Sequence, residues 1–190
     1  MPAKSTTVAA SPGDSATGNG SAAGPDEPAP GQGEVSQVGD DTRPALSRAE
    51  RRAVATARDY LSGLDARDGR RVCELLVPGT IEQVELPRER GGCAASLDAS
   101  IGYRDPRGLP VWRGSSFEGV ASVEADEDRA SVVATVFTRF ADRPNPSLED
   151  DPIYLRRTGG GWLIAQPSLT LYRAVGIAEP PPSALAPPRG

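Results

Sequence analysis

The sequence contains no histidine among its 190 residues. That absence excludes Ser-His and Cys-His nucleophile pairs and every His-based metal site, so catalysis would fall to an Asp, Glu, Tyr, Arg or thiol. Runs of about eighteen apolar residues are also lacking, so no membrane-spanning helix is expected. With 37 % apolar residues, the chain is long enough for one modest folded domain.

Aromatic residues are missing from residues 1–45, which are dominated by Ala, Gly, Ser and Pro. Such a segment buries too little surface to offset the entropy lost on ordering, so residues 1–45 are predicted to be a disordered acidic tail. Residues 177–190 contain five prolines and are predicted to be a second, extended and solvated tail. The folded domain is therefore predicted over residues 46–176.

Lysine is nearly absent, because Lys4 is the one lysine among 21 basic residues. The first 45 residues carry −4 of the whole-chain net charge of −5, which leaves the domain almost neutral. A neutral domain with an acidic tail lacks the electrostatic footprint of a protein that binds nucleic acid or anionic lipid. The arginine clusters "RAERR" and "RDGRR" are interleaved with acids and are interpreted as solvated helix faces.

Three helices are predicted in the first half of the domain. Ser47 and Glu50 have the spacing of a capping box, and an apolar stripe follows them: Ala53, Val54, Ala57, Tyr60, Leu61 and Leu64. A second helix is predicted in "DGRRVCELLV", with Asp68 as its cap, and a third in "CAASLDASI". The stretch "TIEQVEL" fits both the helical and the strand period.

Strands are predicted after residue 110, where the sequence becomes rich in Val, Thr and Phe. "SFEGVASVEA", "RASVVATVFTRF", "PIYLRR", "GWLIAQP" and a last short strand "SLTLYRA" follow one another, with "ADRPNPSLEDD" as a loop. The order predicts an α+β domain, about three N-terminal helices packed on one face of an antiparallel sheet of four or more strands.

Three glycines, Gly159 to Gly161, connect two of these strands. Glycine reaches the positive φ angles of tight hairpins without steric cost, so a β-hairpin is predicted here. Period-two alternation then places Ile153 with Leu155, and Trp162 with Ile164, toward the helices. A phosphate cradle is the disfavoured alternative, because no helix and no Lys-Ser/Thr pair follow the glycines.

The stretches "AVATARDYLSGLDARDGRRVCELL", "GGCAASL" and "YLRRTGGGWLI" resemble the SnoaL-like branch of the NTF2-like superfamily, in particular its exported two-cysteine actinobacterial members. The resemblance covers roughly residues 47 to 173. It implies a cone-shaped α+β fold, in which a curved sheet wraps the first helix and leaves a pocket at the open end. It does not imply one chemistry, since this fold hosts isomerases, cyclases, dehydratases and binding modules.

Cys73 and Cys93 are the two cysteines, and their separation suits neither a CxxC redox site nor a four-ligand zinc site. A structural disulfide is expected, with two buried free thiols as the alternative. The bridge would place the protein in an oxidising compartment, yet no apolar segment of a signal peptide follows Lys4. Either the true start lies upstream and the protein is secreted or membrane-tethered, or the protein is cytoplasmic.

Candidates for a catalytic role are a carboxylate and a tyrosine in the cone: Asp59, Tyr60, Tyr103, Tyr154 and Tyr172. A structural role is favoured for each, because no acid has a visibly apolar surround that would raise its pKa. The acidic runs "EADED" and "LEDD" are interpreted as solvated turns rather than calcium sites. Five aromatic residues are pocket candidates at the mouth of the cone: Tyr60, Trp112, Phe117, Tyr154 and Trp162.

The leading functional hypothesis is a non-catalytic extracytoplasmic module on a stalk, which binds an apolar small ligand or a protein partner. A small isomerase or cyclase that uses a buried carboxylate as general base is the alternative. No metal and no cofactor are expected. Val133, Phe137 and Leu163, opposite the core face, would supply a homodimer surface in either case.

Overall fold

The computed structural model of the chain describes residues 45–87, 89–102, 104, 107, 111–177 and 179–188. These residues form the helices α1 (Arg48–Asp65), α2 (Gly69–Glu74), α3 (Gly92–Ile101) and α4 (Leu169–Ala174), and the strands β1 (Trp112–Ala125), β2 (Arg129–Phe140), β3 (Ser147–Thr158) and β4 (Gly161–Ile164). The α+β prediction is confirmed. Apart from Ala45, the tail predicted over residues 1–45 lies outside the described residues.

Helix α1 begins at the predicted capping box. The Ser47 hydroxyl accepts from the Glu50 amide at 3.2 Å, and the Glu50 carboxylate accepts from the Ser47 amide at 2.6 Å. These hydrogen bonds to Ser47 lower the pKa of Glu50. The predicted stripe packs inward, with Ala53, Ala57, Tyr60, Leu61 and Leu64 all buried. The helix is therefore held by its apolar face, as its period indicates.

The sheet is an antiparallel meander in which each strand pairs with the next, in the order β1-β2-β3-β4. Strand β1 has register shifts between Trp112 and Gly114, between Phe117 and Gly119, and between Val120 and Ser122. Such bulges bend a strand and increase its twist, which curves the sheet. The chain after α2 covers the edge of β4, because the Val77 amide donates to the Ile164 carbonyl at 2.9 Å.

Alternate residues of the strands face the helices and form the core. Val132, Ala134 and Val136 of β2 are buried, and so are the predicted pairs Ile153 with Leu155 and Trp162 with Ile164. The residues between them on β2, including Val133 and Phe137, are half-buried on the opposite face. The predicted orientation of the β3–β4 hairpin is confirmed.

The turn of this hairpin uses its glycines unequally. Gly161 adopts φ 134°, whereas Gly159 and Gly160 lie outside the left-handed region. Glycine is therefore conformationally required at Gly161, where β4 begins. A Cβ on Gly159 or Gly160 would meet nothing within 4 Å. These two glycines leave the space above the turn open.

The cysteines form the expected disulfide, Cys73–Cys93, with a Cα–Cα distance of 6.1 Å. The bridge joins α2 to α3 beside a close approach of the two helices at Gly69. The Gly69 amide donates to the Asp98 carboxylate at 2.7 Å, and a Cβ at this position would lie 2.6 Å from the Ala94 carbonyl oxygen. A covalent bond and a backbone contact thus fix α3 against α2.

The predicted last strand "SLTLYRA" is wrong, since the structure forms the helix α4 there. Leu169 and Leu171 alternate with polar neighbours, but the stretch is too short to distinguish the period of a helix from that of a strand. The Ser168 hydroxyl accepts from the Leu171 amide at 3.2 Å and so provides part of the cap of this helix. Two smaller differences are a 3-10 turn at Thr80–Gln83 in the ambiguous stretch, and a β3 that begins at Ser147 inside the predicted loop.

The proline-rich C-terminal segment is not the solvated tail that its composition predicts. Pro182–Leu185 forms a 3-10 turn with Ala184 buried. The Gln166 amide nitrogen donates to the carbonyls of Ser183, Ala184 and Ala186 at 3.0 to 3.3 Å. The two N–H donors of this one buried side chain are therefore shared among three backbone carbonyls and hold the segment against the domain.

Candidate functional site

Asp151 is a carboxylate in the core, with 2 % of its surface exposed. One of its oxygens accepts from the Leu169 amide at 3.0 Å and the other from the Thr170 amide at 2.9 Å. Burial raises the pKa of Asp151, and the hydrogen bonds from Thr170 and Leu169 oppose that rise. Both oxygens are occupied by the first turn of α4, so the carboxylate acts as a cap from across the domain.

Tyr60 lies near this carboxylate and is fully buried. The Ser168 hydroxyl donates to the Tyr60 phenol oxygen at 3.4 Å. Burial raises the pKa of Tyr60, and the charge of Asp151 adds to the rise. A tyrosine beside a desolvated carboxylate is the arrangement that would favour an enzyme, but here the tyrosine belongs to a core of buried side chains that includes Leu61, Leu64, Ile153 and Leu171.

The remaining catalytic candidates lie elsewhere. Asp59 is on the solvated face of α1, where its carboxylate pairs with Arg71 at 2.8 Å. Tyr172 lies on α4, and burial raises its pKa. Tyr103 lies outside the described residues. Neither Asp59 nor Tyr172 has the environment of a general base that faces a substrate.

Trp112, a predicted pocket residue, belongs to a buried polar cluster at the start of β1. Its indole nitrogen donates to the Ser115 hydroxyl at 3.0 Å, and that hydroxyl lies 3.0 Å from the hydroxyl of Thr138. The Ser115 amide donates to the Asp65 carboxylate at 2.9 Å, which ties β1 to the end of α1. The indole is thus a structural donor rather than a platform for a ligand.

The other pocket candidates lie in three separate places. Phe117 is half-buried under the guanidinium of Arg58, 4.8 Å from the ring centre. Tyr154 is on the outer part of the sheet, where its hydroxyl donates to the Leu185 carbonyl at 3.1 Å. Trp162 is 7 % exposed and lines a third depression. The five predicted aromatic residues are not brought together at one mouth of a cone.

The depression at Trp162 is a cleft of about 780 Å³ between α1 and the β3–β4 hairpin. Arg48 and Arg52 of α1 and Arg157 of β3 lie around it, and the name arginine cleft is used for it below. Its other lining residues are small or weakly polar, apart from the tryptophan: Ala49, Ala55, Thr56, Thr158, Gly159, Gly160, Gly161 and Trp162. No acidic residue is among the described residues that line it.

The spacing of α1 explains the helical wall of the arginine cleft. Arg48 and Arg52 are four residues apart and so share a face of the helix, with Ala55 and Thr56 continuing it. The opposite wall is the hairpin turn, whose glycines carry no side chain into the space. The cleft exists because small residues line both sides of it.

Sequence reasoning missed the two sets of charged residues that matter most. Asp151 belongs to "LEDD", which was interpreted as a solvated turn, and nothing local marks it as buried. Arg48 and Arg52 belong to "RAERR", which was interpreted as a solvated face. The one available signal was that Glu50 falls on another side of the helix from these two arginines, which leaves them without an acid at helical spacing.

In the part of the chain that the structure describes, no group of three or more His, Cys, Asp or Glu side chains is placed to hold a metal ion. None of the described helices is long and apolar enough to cross a membrane.

Three solved structures of bacterial proteins are among those similar to this chain. One is a domain of unknown function with a cystatin-like fold from Nostoc punctiforme, at 16 % identity and TM-score 0.45 over 64 % of this chain and 76 % of that one. A ketosteroid isomerase-like protein from Erwinia carotovora atroseptica has 17 % identity and TM-score 0.40 over 64 % and 94 %. An NTF2-like protein with a cystatin-like fold from Novosphingobium aromaticivorans has 21 % identity and TM-score 0.36 over 63 % and 77 %.

Two of these three proteins have a cystatin-like fold, and none of the three is more than 21 % identical to this chain. No protein-family model matches the chain, and no curated protein matches it.

Proposed function

We propose that this protein is a non-catalytic NTF2-like binding module of an oxidising, extracytoplasmic compartment, with residues 1–45 as its stalk. The observation that carries the proposal is the state of Asp151, the carboxylate in the core next to a tyrosine. Both of its oxygens are committed to the amides of Leu169 and Thr170. A substrate would therefore have to compete with these amides inside the core, where only 2 % of Asp151 is exposed.

A general base must lie within hydrogen-bond reach of the proton it removes. Substrate at Asp151 would have to displace two backbone amides and enter a space occupied by Tyr60 and its apolar neighbours. Displacing them would uncap α4 and leave buried donors unpaired, at a cost of about 1 to 3 kcal/mol for each donor. This cost favours a structural role for the carboxylate.

The enzyme alternative is tested by proton exchange at carbon. The protein is incubated in D₂O with small ketones and aldehydes, and NMR follows deuterium entering the position next to the carbonyl. We expect the rate with protein to equal the rate in buffer. Faster exchange that is lost in both Asp151→Asn and Tyr60→Phe would overturn the proposal, because Tyr60→Phe removes the hydroxyl and leaves the packed ring in place.

The disulfide between Cys73 and Cys93 supports an oxidising, extracytoplasmic compartment. Disulfides persist in secreted and cell-surface proteins, whereas cytosolic thiols are kept reduced. Thiol labelling and intact mass, measured on protein from culture supernatant, membrane and cytosol kept separate, test the assignment. We expect unlabelled cysteines in protein outside the cytosol. Two labelled thiols in a cytosolic protein would refute it.

Because Tyr60 is fully buried in the core, we expect a partner or ligand to bind on the exterior of the domain, between helices and strands, rather than inside the core. The outer sheet face is a second surface: Leu148, paired in register with Phe137, is 64 % exposed. A homodimer through this face, with Val133 and Leu163 included, stays a prediction. Light scattering at high concentration tests it, and a monomer there would remove it.

A further inference from the structure

We infer that the arginine cleft is the ligand site of this module and that it binds a small phosphate-bearing anion. The inference rests on the proposed function, since it names the ligand class of a binding module. It depends on residues far from Asp151, so the two proposals fail in different experiments.

The first support is uncompensated charge. The described residues give the guanidinium groups of Arg48 and Arg52 neither a hydrogen-bond acceptor nor an ion-pair partner. Arg157 donates from one nitrogen to the Glu127 carbonyl at 3.4 Å, and no described carboxylate pairs with it. The other arginines of α1 and α2 do have partners: Arg51 with the Leu46 carbonyl, Arg58 with Phe117, Arg70 with Glu74 and Arg71 with Asp59.

The second support is that the arrangement is unfavourable when the cleft is empty. Like charges four residues apart on a helix repel each other, as Arg48 and Arg52 do. Both are also near the N-terminus of α1, where the helix dipole favours negative charge. An anion between these arginines and Arg157 removes the repulsion. Its binding energy would therefore include relief of a local cost as well as new hydrogen bonds.

The third support is shape. The cleft of about 780 Å³ has the size of small-molecule sites, which run to roughly 300 to 1,000 Å³. It is therefore larger than an inorganic ion needs. Trp162 supplies an aromatic surface to the lining of the cleft. The amides of Gly159 and Gly160 have no acceptor among the described residues, and an approaching ligand meets no Cβ there.

The chemistry of the donors identifies the ligand class. Guanidinium groups present paired N–H donors that match phosphate and carboxylate oxygens, and their charge is permanent. Three such groups around one space match a phosphate group better than a single carboxylate, because phosphate offers about two negative charges and three acceptor oxygens. The volume left beside Trp162 would hold the organic part. This mode uses side chains and a turn, unlike a phosphate cradle at a helix N-terminus.

The test is a titration of the full chain with inorganic pyrophosphate, followed by amide NMR. We expect saturable shifts confined to residues 157–162 and to the start of α1, including the Trp162 indole. Arg52→Gln should weaken binding about tenfold, and Arg48→Gln with Arg52→Gln about a hundredfold, since each removes a charged hydrogen bond. Arg70→Gln, which removes the same charge from an exposed position outside the cleft, should leave the affinity unchanged.

Two comparisons make the result decisive. Equal loss of affinity in Arg52→Gln and Arg70→Gln, or shifts spread over the surface, would show charge attraction without a site and overturn the inference. A second titration uses citrate, whose three carboxylates carry comparable charge. Citrate binding as tightly as pyrophosphate would overturn the assignment to phosphate, and an acidic peptide binding more tightly than either would assign the cleft to a protein segment. Weaker citrate binding supports the phosphate assignment.

Discussion

Replacing Asp151 tests whether this carboxylate is a structural cap. Asp151→Ala removes the acceptors of two amides, of which that of Thr170 is fully buried and that of Leu169 partly buried. A buried donor left without a partner costs about 1 to 3 kcal/mol, so we assign about 2 to Thr170 and about 1 to Leu169. The variant should lose about 3 kcal/mol of unfolding free energy, a large share of the 5 to 15 kcal/mol of a typical domain.

Asp151→Asn should cost less, because its amide oxygen can still accept one of the two hydrogen bonds. Its NH₂ group would face the other amide donor, so about 1 to 2 kcal/mol should be lost. Asp150→Asn is the matched control: it is the same substitution one residue earlier, on an exposed side chain that accepts from the Thr135 hydroxyl at 2.9 Å. Its effect should stay within about 0.5 kcal/mol.

The loss of unfolding free energy in Asp151→Asn, relative to the parent protein, should depend on pH in a definite direction. Burial raises the pKa of Asp151 above the 3.8 that is usual for an aspartate, so the folded state binds the proton more tightly than the unfolded state. The stability that this proton contributes is fully present below the unfolded pKa and is lost as pH rises through the folded pKa. Asp151→Asn has no such proton. Its deficit relative to the parent should therefore shrink as the pH rises from below 3.8 through the raised pKa.

Urea unfolding followed by far-UV circular dichroism, repeated across this pH range, measures all three variants. The reasoning is refuted by an Asp151→Ala variant as stable as Asp150→Asn. It is also refuted by a deficit of Asp151→Asn that grows with pH, which would mean that the ionised carboxylate is the form that the fold prefers.

Three further substitutions test other features of the fold. Replacing both Cys73 and Cys93 by alanine removes a disulfide between residues 20 apart, and the free energy of unfolding in urea should fall by about 3 kcal/mol. Reduction of the disulfide in the parent protein should give the same loss. A loss below about 1 kcal/mol would contradict the chain-entropy account. Ser47→Ala should cost about 1 kcal/mol of thermal stability by removing the cap of α1, whereas Ser47→Asp should retain it. Gly161→Ala should cost about 1 to 2 kcal/mol because its φ is 134°, and Gly160→Ala, at an open position outside that region, should cost little; equal losses would show that the strain lies elsewhere.

The sequence was a good guide wherever the deciding interactions are local. The cap at Ser47, the stripe of α1 and the orientation of Trp162 all depend on residues within a few positions of one another. The helix α4 could not be found in this way, because two of its three capped amides, those of Leu169 and Thr170, donate to Asp151, which precedes Leu169 by 18 residues. A seven-residue stretch with alternating leucines then looks like a strand until the distant carboxylate is known.

The same limit applies to the site. Nothing in "RAERR" or "RRTGGGW" indicates that the two stretches face each other, since α1 and the hairpin are about a hundred residues apart in the chain and meet through the tertiary fold alone. Aromatic content was a poor guide for a similar reason. The sequence does not indicate whether Tyr60 and Trp112 line a cavity or form hydrogen bonds inside the core. In the structure, Tyr60 accepts a hydrogen bond from Ser168, and Trp112 donates one to Ser115.

The contact between Tyr60 and Ser168 spans 108 residues of chain, and this separation has a consequence for how the protein is made. A ribosome adds roughly 5 to 20 residues per second, so α1 emerges seconds before the segment that completes its surroundings. During that interval the apolar stripe of α1 has only partial cover and is a natural surface for a holding chaperone. A nascent chain that completes its fold this late would still be unfolded enough to pass through a translocation channel.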